Sequence, residues 1–183
     1  MNMDRATFES FKSQGYNRIP VVREVLADTD TPLSTYLKLG KGPHSYFFES
    51  IQGGEKWGRF SIIGLPCSTV LRVVGDRLTV ECEGEVIEAL ETSDPFEFIE
   101  AYKARFNVAE VTDNQRFGGG LVGYFAYDSV RYVEPSIGPA KDPGALDTPD
   151  ILLMLSEEVV VFDNLRGTIA FVITVDPAVA DAF

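Results

Sequence analysis

A carboxylate and a hydroxyl stand side by side in Tyr46-Phe47-Phe48-Glu49-Ser50, directly after three aromatic residues. A charge beside side chains that belong in a core is costly unless a cation or several donors satisfy it. A free amino acid supplies both needs: an ammonium for Glu49, and a carboxylate for a hydroxyl or backbone donors. The competing reading is structural, with Arg59 pairing with Glu49 across a hairpin. Strand alternation puts Glu49 and Ser50 on opposite faces, so one ligand reaches both only if a bulge or twist interrupts the strand.

Other constellations are weaker. Glu49 and Asp128 are the carboxylates with the most apolar neighbours, and a carboxylate pair can run acid–base chemistry, but no spacing rule joins these two. Ser50, His44 and Asp128 have the right types for a nucleophilic triad, yet Ser50 lacks the Gly-x-Ser-x-Gly elbow that presents a nucleophile. The glycines from Gly118 to Gly123 lack both the Gly-Lys-Ser/Thr ending and the Gly-x-Gly-x-x-Gly pattern of phosphate loops, and read instead as a closely packed buried strand. Lys56 and Trp57 form either a cation–π clamp or an aromatic plug on a hairpin. Two cysteines, Cys67 and Cys82, and one histidine are too few for a zinc site or a disulfide framework, so both thiols are expected to be reduced.

Positioning these residues requires an ordered sheet, and the turn chemistry supplies one. Asp4 caps a helix with Phe8 and Phe11 on one side and Gly15 at its end; residues 18–26 alternate as a strand. Thr31-Pro32 starts a second helix, with Leu33, Tyr36 and Leu37 on one face and Gly40 at its end. Residues 45–64 read as two short strands around a Gly-rich connection. Residues 68–74, 77–82 and 85–90, separated by Gly75-Asp76 and Glu83-Gly84, predict an antiparallel meander. Asp94-Pro95 opens a third helix, with Phe96, Ile99 and Phe106 inward and Glu97, Glu100, Lys103 and Arg105 outward. Residues 108–117 read as an exposed loop, 118–128 as a buried strand, and 128–133 as a short helix carrying Arg131. A Pro/Gly-rich loop leads to two long strands, 151–162 and 167–175. The expected class is α+β, mostly antiparallel sheet packed with a few short helices, in one domain over residues 1–183. Asp176-Pro177 announces a further helix too short to stand alone, an expectation that the chain is cut from a longer protein.

Composition narrows the partner. A net charge of -12 and a pI near 4.5 oppose binding to nucleic acid or to an anionic membrane, both of which need a Lys/Arg surplus. No apolar run approaches the roughly 20 residues that span a bilayer, and the amino terminus is not a signal peptide. The expectation is a cytoplasmic protein whose partner is a small molecule or another protein.

Phe47-Phe48-Glu49-Ser50, followed by Gly58-Arg59-Phe60-Ser61-Ile62-Ile63-Gly64, resembles the amino-terminal motif of the anthranilate synthase component I family, usually Leu-Leu-Glu-Ser and then Gly-Arg-Tyr-Ser. Gly119-Gly120-Leu121-Val122-Gly123-Tyr124 with Asp128 and Arg131 resembles a second motif of the same domain. Asp150-Ile151-Leu152-Leu153-Met154 and Val161-Phe162-Asp163-Asn164 continue the similarity. The resemblance implies half of that family's fold, and a subunit that converts chorismate to anthranilate, a lyase reaction of tryptophan biosynthesis. Ammonia comes from a glutamine amidotransferase subunit, and chorismate and Mg2+ are bound by a carboxy-terminal catalytic domain. The present chain would then be the regulatory domain, without catalytic, metal or cofactor residues of its own and inactive alone. It would contribute Glu49, Ser50 and Ser61 to an L-tryptophan feedback site, with Arg59 in support. An apolar face is expected where the catalytic domain packs. Two other readings are the corresponding domain of aminodeoxychorismate synthase component I, in folate synthesis, and a freestanding amino-acid-binding module.

Overall fold

The computed structural model describes residues 3–51, 57–110, 117–138 and 148–179, with only the backbone of Ile51, Trp57 and Pro135. Its strands form two five-stranded sheets, and every pairing with a resolved register is antiparallel. The chain divides into two compact units: residues 1–67, 106–120 and 156–183, and residues 68–105 and 121–155.

The first unit begins with α1 (Arg5–Ser13), whose N-cap Asp4 accepts a hydrogen bond from the Thr7 amide at 2.8 Å. Phe8 on its inner face packs with Ile19 and Ala109. The sheet runs β1 (Ile19–Leu26), β10 (Thr168–Val175), β9 (Glu158–Asp163), β3 (Trp57–Gly64), β2 (Tyr46–Ile51). Its core face gathers Ile63, Val160, Phe162 and Ile169, with Phe47 and Tyr36 packed against them.

Tyr36 comes from α2 (Pro32–Leu39), which starts with a capping box between Thr31 and Ser34. The three apolar residues of that helical face are not buried alike. Thr35 is buried and the Tyr36 ring stacks on Phe47 at 5.6 Å, while Leu33 and Leu37 are 56% and 60% exposed. A two-turn helix docks by its best single contact, and here an aromatic stack outweighs the leucine stripe.

The second unit holds the predicted meander, β4 (Thr69–Val74), β5 (Arg77–Cys82) and β6 (Glu85–Glu91), extended by β8 (Ile151–Ser156) and β7 (Gly120–Phe125) in the order β6-β5-β4-β8-β7. Helix α3 (Pro95–Lys103), capped by Asp94, buries Pro95, Ile99 and Tyr102. Phe96 stacks on Phe125 at 5.8 Å and meets Tyr132 edge-on. Phe106, expected inward on this helix, lies beyond its end beneath the Arg18 guanidinium.

Three further expectations change. The long strand over 151–162 is two strands in different sheets, because the chain leaves one ladder at Ser156 and enters the other at Glu158. Within the glycine-rich run 118–128 only β7 is strand, and it lies at a sheet edge rather than buried; only Val122 is buried within it. The start of the 108–117 loop is anchored, since Val108 bridges Arg18 and Ala109 is buried. A short 3-10 helix, Tyr127–Tyr132, carries Arg131 as expected, and both cysteines are free thiols. The connection 52–56 and the Lys56–Trp57 clamp lie outside what is described.

Candidate amino-acid site on a bulged hairpin

Residues of β2 and β3 face each other in the pairs Phe47–Ile63 and Glu49–Ser61, and then the register jumps to Ile51–Trp57. Over that interval β2 advances two residues and β3 four, so two residues of β3 have no ladder partner on β2. The irregularity falls at the Glu49–Ser50 pair, with its surplus residues on β3. Its tightest point is Gly58, whose missing side chain lets the backbone rest against the Ser50 carbonyl.

Register also explains how a carboxylate comes to sit beside core residues. Glu49 belongs to the cross-sheet row Glu49–Ser61–Phe162–Ile169, on the same face as Phe47 and Ile63. It occupies the open end of that row on the edge strand and is exposed, so its charge remains hydrated. Phe48 points to the other face and is 51% exposed, contrary to its expected place in the core. Ser50 is exposed next to Glu49, and neither side chain has a hydrogen-bond or ion-pair partner among the described residues. Ser61, directly opposite Glu49, is 0% exposed.

Arg59 does not pair with Glu49. Its guanidinium takes the carboxylate of Asp163, with Nη2 2.8 Å and Nε 3.2 Å from Oδ2. Asp163 also accepts from the amides of Leu165 and Arg166, so one carboxylate closes the β9–β10 turn and anchors the bulge. The Arg59 guanidinium, foremost, holds the Asp163 carboxyl below the usual carboxylate range, with burial opposing the shift. A carboxyl lowered in the folded state stabilises fully above its unfolded value of about 4, and that contribution is lost as pH falls through the folded value. Asp163→Asn keeps an acceptor for the turn amides and removes the charge. It should therefore destabilise the chain at neutral pH, by an amount that shrinks as pH falls below about 4. Urea titrations of both forms at several pH values check this; a difference independent of pH would contradict it.

The remaining candidates fall apart as chemistry. Asp128 pairs with Arg131 at 2.9 Å in the second unit. His44 lies in a loop with φ 57°, its carbonyl accepting from the Cys67 amide. Tyr46 hydrogen-bonds Ser156 at 2.8 Å, and burial, the leading cause, pushes its pKa up to about 12, so it stays a neutral structural phenol. No three His, Cys, Asp or Glu side chains converge to hold a metal among the described residues. No described helix is long and apolar enough to cross a membrane.

The sequence reading missed Asp163 and Asn164 as parts of this site. They read as turn residues, and only their place in the Val161-Phe162-Asp163-Asn164 similarity set them apart. No spacing signal connects them to Arg59 and Ser61, more than 100 residues away.

Relatives carry the resemblance over the whole chain. Anthranilate synthase component 1 of Pseudomonas putida is 52% identical over 181 residues, covering 99% of this chain and 37% of the relative. The protein of that name from Neisseria gonorrhoeae is 46% identical over 184 residues, with the same coverages. The chain is homologous to the amino-terminal part of anthranilate synthase component 1. It spans about 37% of the length of these relatives. A solved anthranilate synthase component I from Streptococcus pneumoniae overlays 87% of this chain and 32% of its own, with a TM-score of 0.49 and 24% identity. No family model matches the chain.

Proposed function

We propose that this chain is the regulatory amino-terminal part of an anthranilate synthase component I subunit, and that Glu49 and Ser50 form half of its L-tryptophan feedback site. The observation that carries the reading is the exposed carboxylate and hydroxyl of adjacent residues at a strand bulge, neither with a side-chain partner among the described residues. Glu49 would take the ligand ammonium and Ser50 its carboxylate, the two charged ends of any free α-amino acid. Similarity to anthranilate synthase component 1 supports tryptophan, rather than another amino acid, as the proposed ligand. Conversion of chorismate, with ammonia from a glutamine amidotransferase subunit, belongs on this reading to the part of the subunit outside this chain, which would also close the pocket.

Feedback then follows from linkage. Tryptophan inhibits only by binding the poorly active arrangement of the subunit more tightly than the active one, a coupling of about 1–3 kcal/mol. Ser50→Ala in the full-length subunit should raise the tryptophan concentration for half-inhibition by roughly tenfold, the loss of one hydrogen bond to a charged group. Turnover without tryptophan serves as the internal reference. Unaltered inhibition in this variant would remove Ser50 from the site.

A further inference from the structure

We propose that Asn164, in the turn between β9 and β10, is the positioning residue of the Glu49–Ser50 site. The inference rests on the reading of that pair as an amino-acid half-site. The two surplus residues in β3 turn backbone groups of the segment 58–60 away from β2, and those groups need partners elsewhere. Asn164 meets that need from both its main chain and its side chain. Its amide donates to the Arg59 carbonyl at 2.8 Å. Its carboxamide Nδ2 donates to the Gly58 carbonyl at 3.0 Å and lies 3.3 Å from Ser61 Oγ. One side chain thus spans both ends of the bulge, while Arg59 and Asp163 clamp the middle.

Turn conformation does not account for the asparagine. Asn often enters turns because it tolerates a left-handed φ, but among the described non-glycine residues only His44 and Glu83 adopt one. What Asn164 uses is its N–H donors. Accepting from Asn164 also directs the buried Ser61 hydroxyl: its own proton points away from the carboxamide, and no described residue accepts it. Ser61 is the direct cross-strand neighbour of Glu49. Asn164 therefore sets the backbone that presents Glu49 and Ser50, and the hydroxyl dipole behind Glu49, without touching the ligand.

The test uses the full-length subunit with L-tryptophan. Asn164→Asp preserves shape but exchanges the two N–H donors for an acceptor facing the Gly58 carbonyl; Asn164→Ala removes them without adding charge. Both variants should require about tenfold more tryptophan for half-inhibition, the scale of losing these hydrogen bonds. Chorismate KM and turnover without tryptophan should stay within about twofold of wild type. That split between inhibition and KM is what general loss of structure does not produce. Normal inhibition of both Asn164 variants, beside a desensitised Ser50→Ala, overturns the role of Asn164 and leaves the site standing. Normal inhibition in all three overturns the site and the inference with it. Parallel loss of turnover, thermal midpoint and inhibition in both Asn164 variants also overturns it, since that pattern is unfolding.

Discussion

Replacing Gly58 by alanine is expected to cost about 3 kcal/mol of folding stability and, on the proposed function, to remove the tryptophan inhibition assigned to Glu49 and Ser50. A Cβ on Gly58 would fall well inside contact distance of the Ser50 carbonyl oxygen, and 2.5 Å from the carbonyl carbon. Backbone atoms cannot rotate out of the way as a flexible side chain can, so relief comes only from separating β2 and β3 at the bulge. That separation dismantles the site itself. Gly118→Ala is the control, because a Cβ there has nothing within 4 Å and its φ is ordinary; its effect should stay within about 0.5 kcal/mol. Urea unfolding of the two variants measures the difference. Equal midpoints would mean that the bulge is not closely packed.

Gly123→Ala is expected to have a comparable effect, again about 3 kcal/mol, in the other unit. Its Cβ would collide with the Leu152 carbonyl oxygen and lie 2.8 Å from the carbonyl carbon and 2.9 Å from Leu153 Cα. Residues 152 and 153 sit in the interior of β8, between β7 and β4, so β8 cannot shift without breaking its register with β4 at Leu152–Arg72 and Leu153–Leu71. The edge strand β7 must detach instead. Hydrogen exchange should show protection lost first over β7, with the β4–β5–β6 meander retained; uniform loss across the sheet would contradict this order. The glycine-rich motif thus has a packing explanation at Gly123, and needs no phosphate-binding role.

The two glycines bear on how function is distributed along the chain. Neither supplies a chemical group. One shapes the hairpin that presents the proposed ligand-binding pair; the other lets an edge strand approach its neighbour. The groups proposed to meet a ligand are few and sit at the surface, beside a network in which Ser61 and Asp163 are buried and Arg59 and Asn164 are exposed. Substitutions in that network should therefore change inhibition more than turnover in the full-length subunit.

What the sequence determined by itself is local. Asp4, Thr31 and Asp94 mark helix starts because a cap hydrogen bond spans only two or three residues. Gly75-Asp76 and Glu83-Gly84 mark hairpins because positive φ is a property of one or two residues, and Gly75, Glu83 and Gly84 do adopt it. The adjacency of Glu49 and Ser50, and the need for a bulge if both serve one ligand, were equally legible from strand alternation. Tertiary structure alone decided the partners. Arg59 chose Asp163 over Glu49 because the β9–β10 turn, 104 residues further on, delivers a carboxylate closed around its own amides. The apolar run 151–162 is split between two sheets by a change of ladder at Glu157 that no periodicity records, since both halves are strand. Burial of α2 through Tyr36, and exposure of its leucines, depended on where Phe47 lay. Turn and cap energies are set within a few residues, whereas pairing and docking are settled by which surfaces meet after the chain has closed on itself.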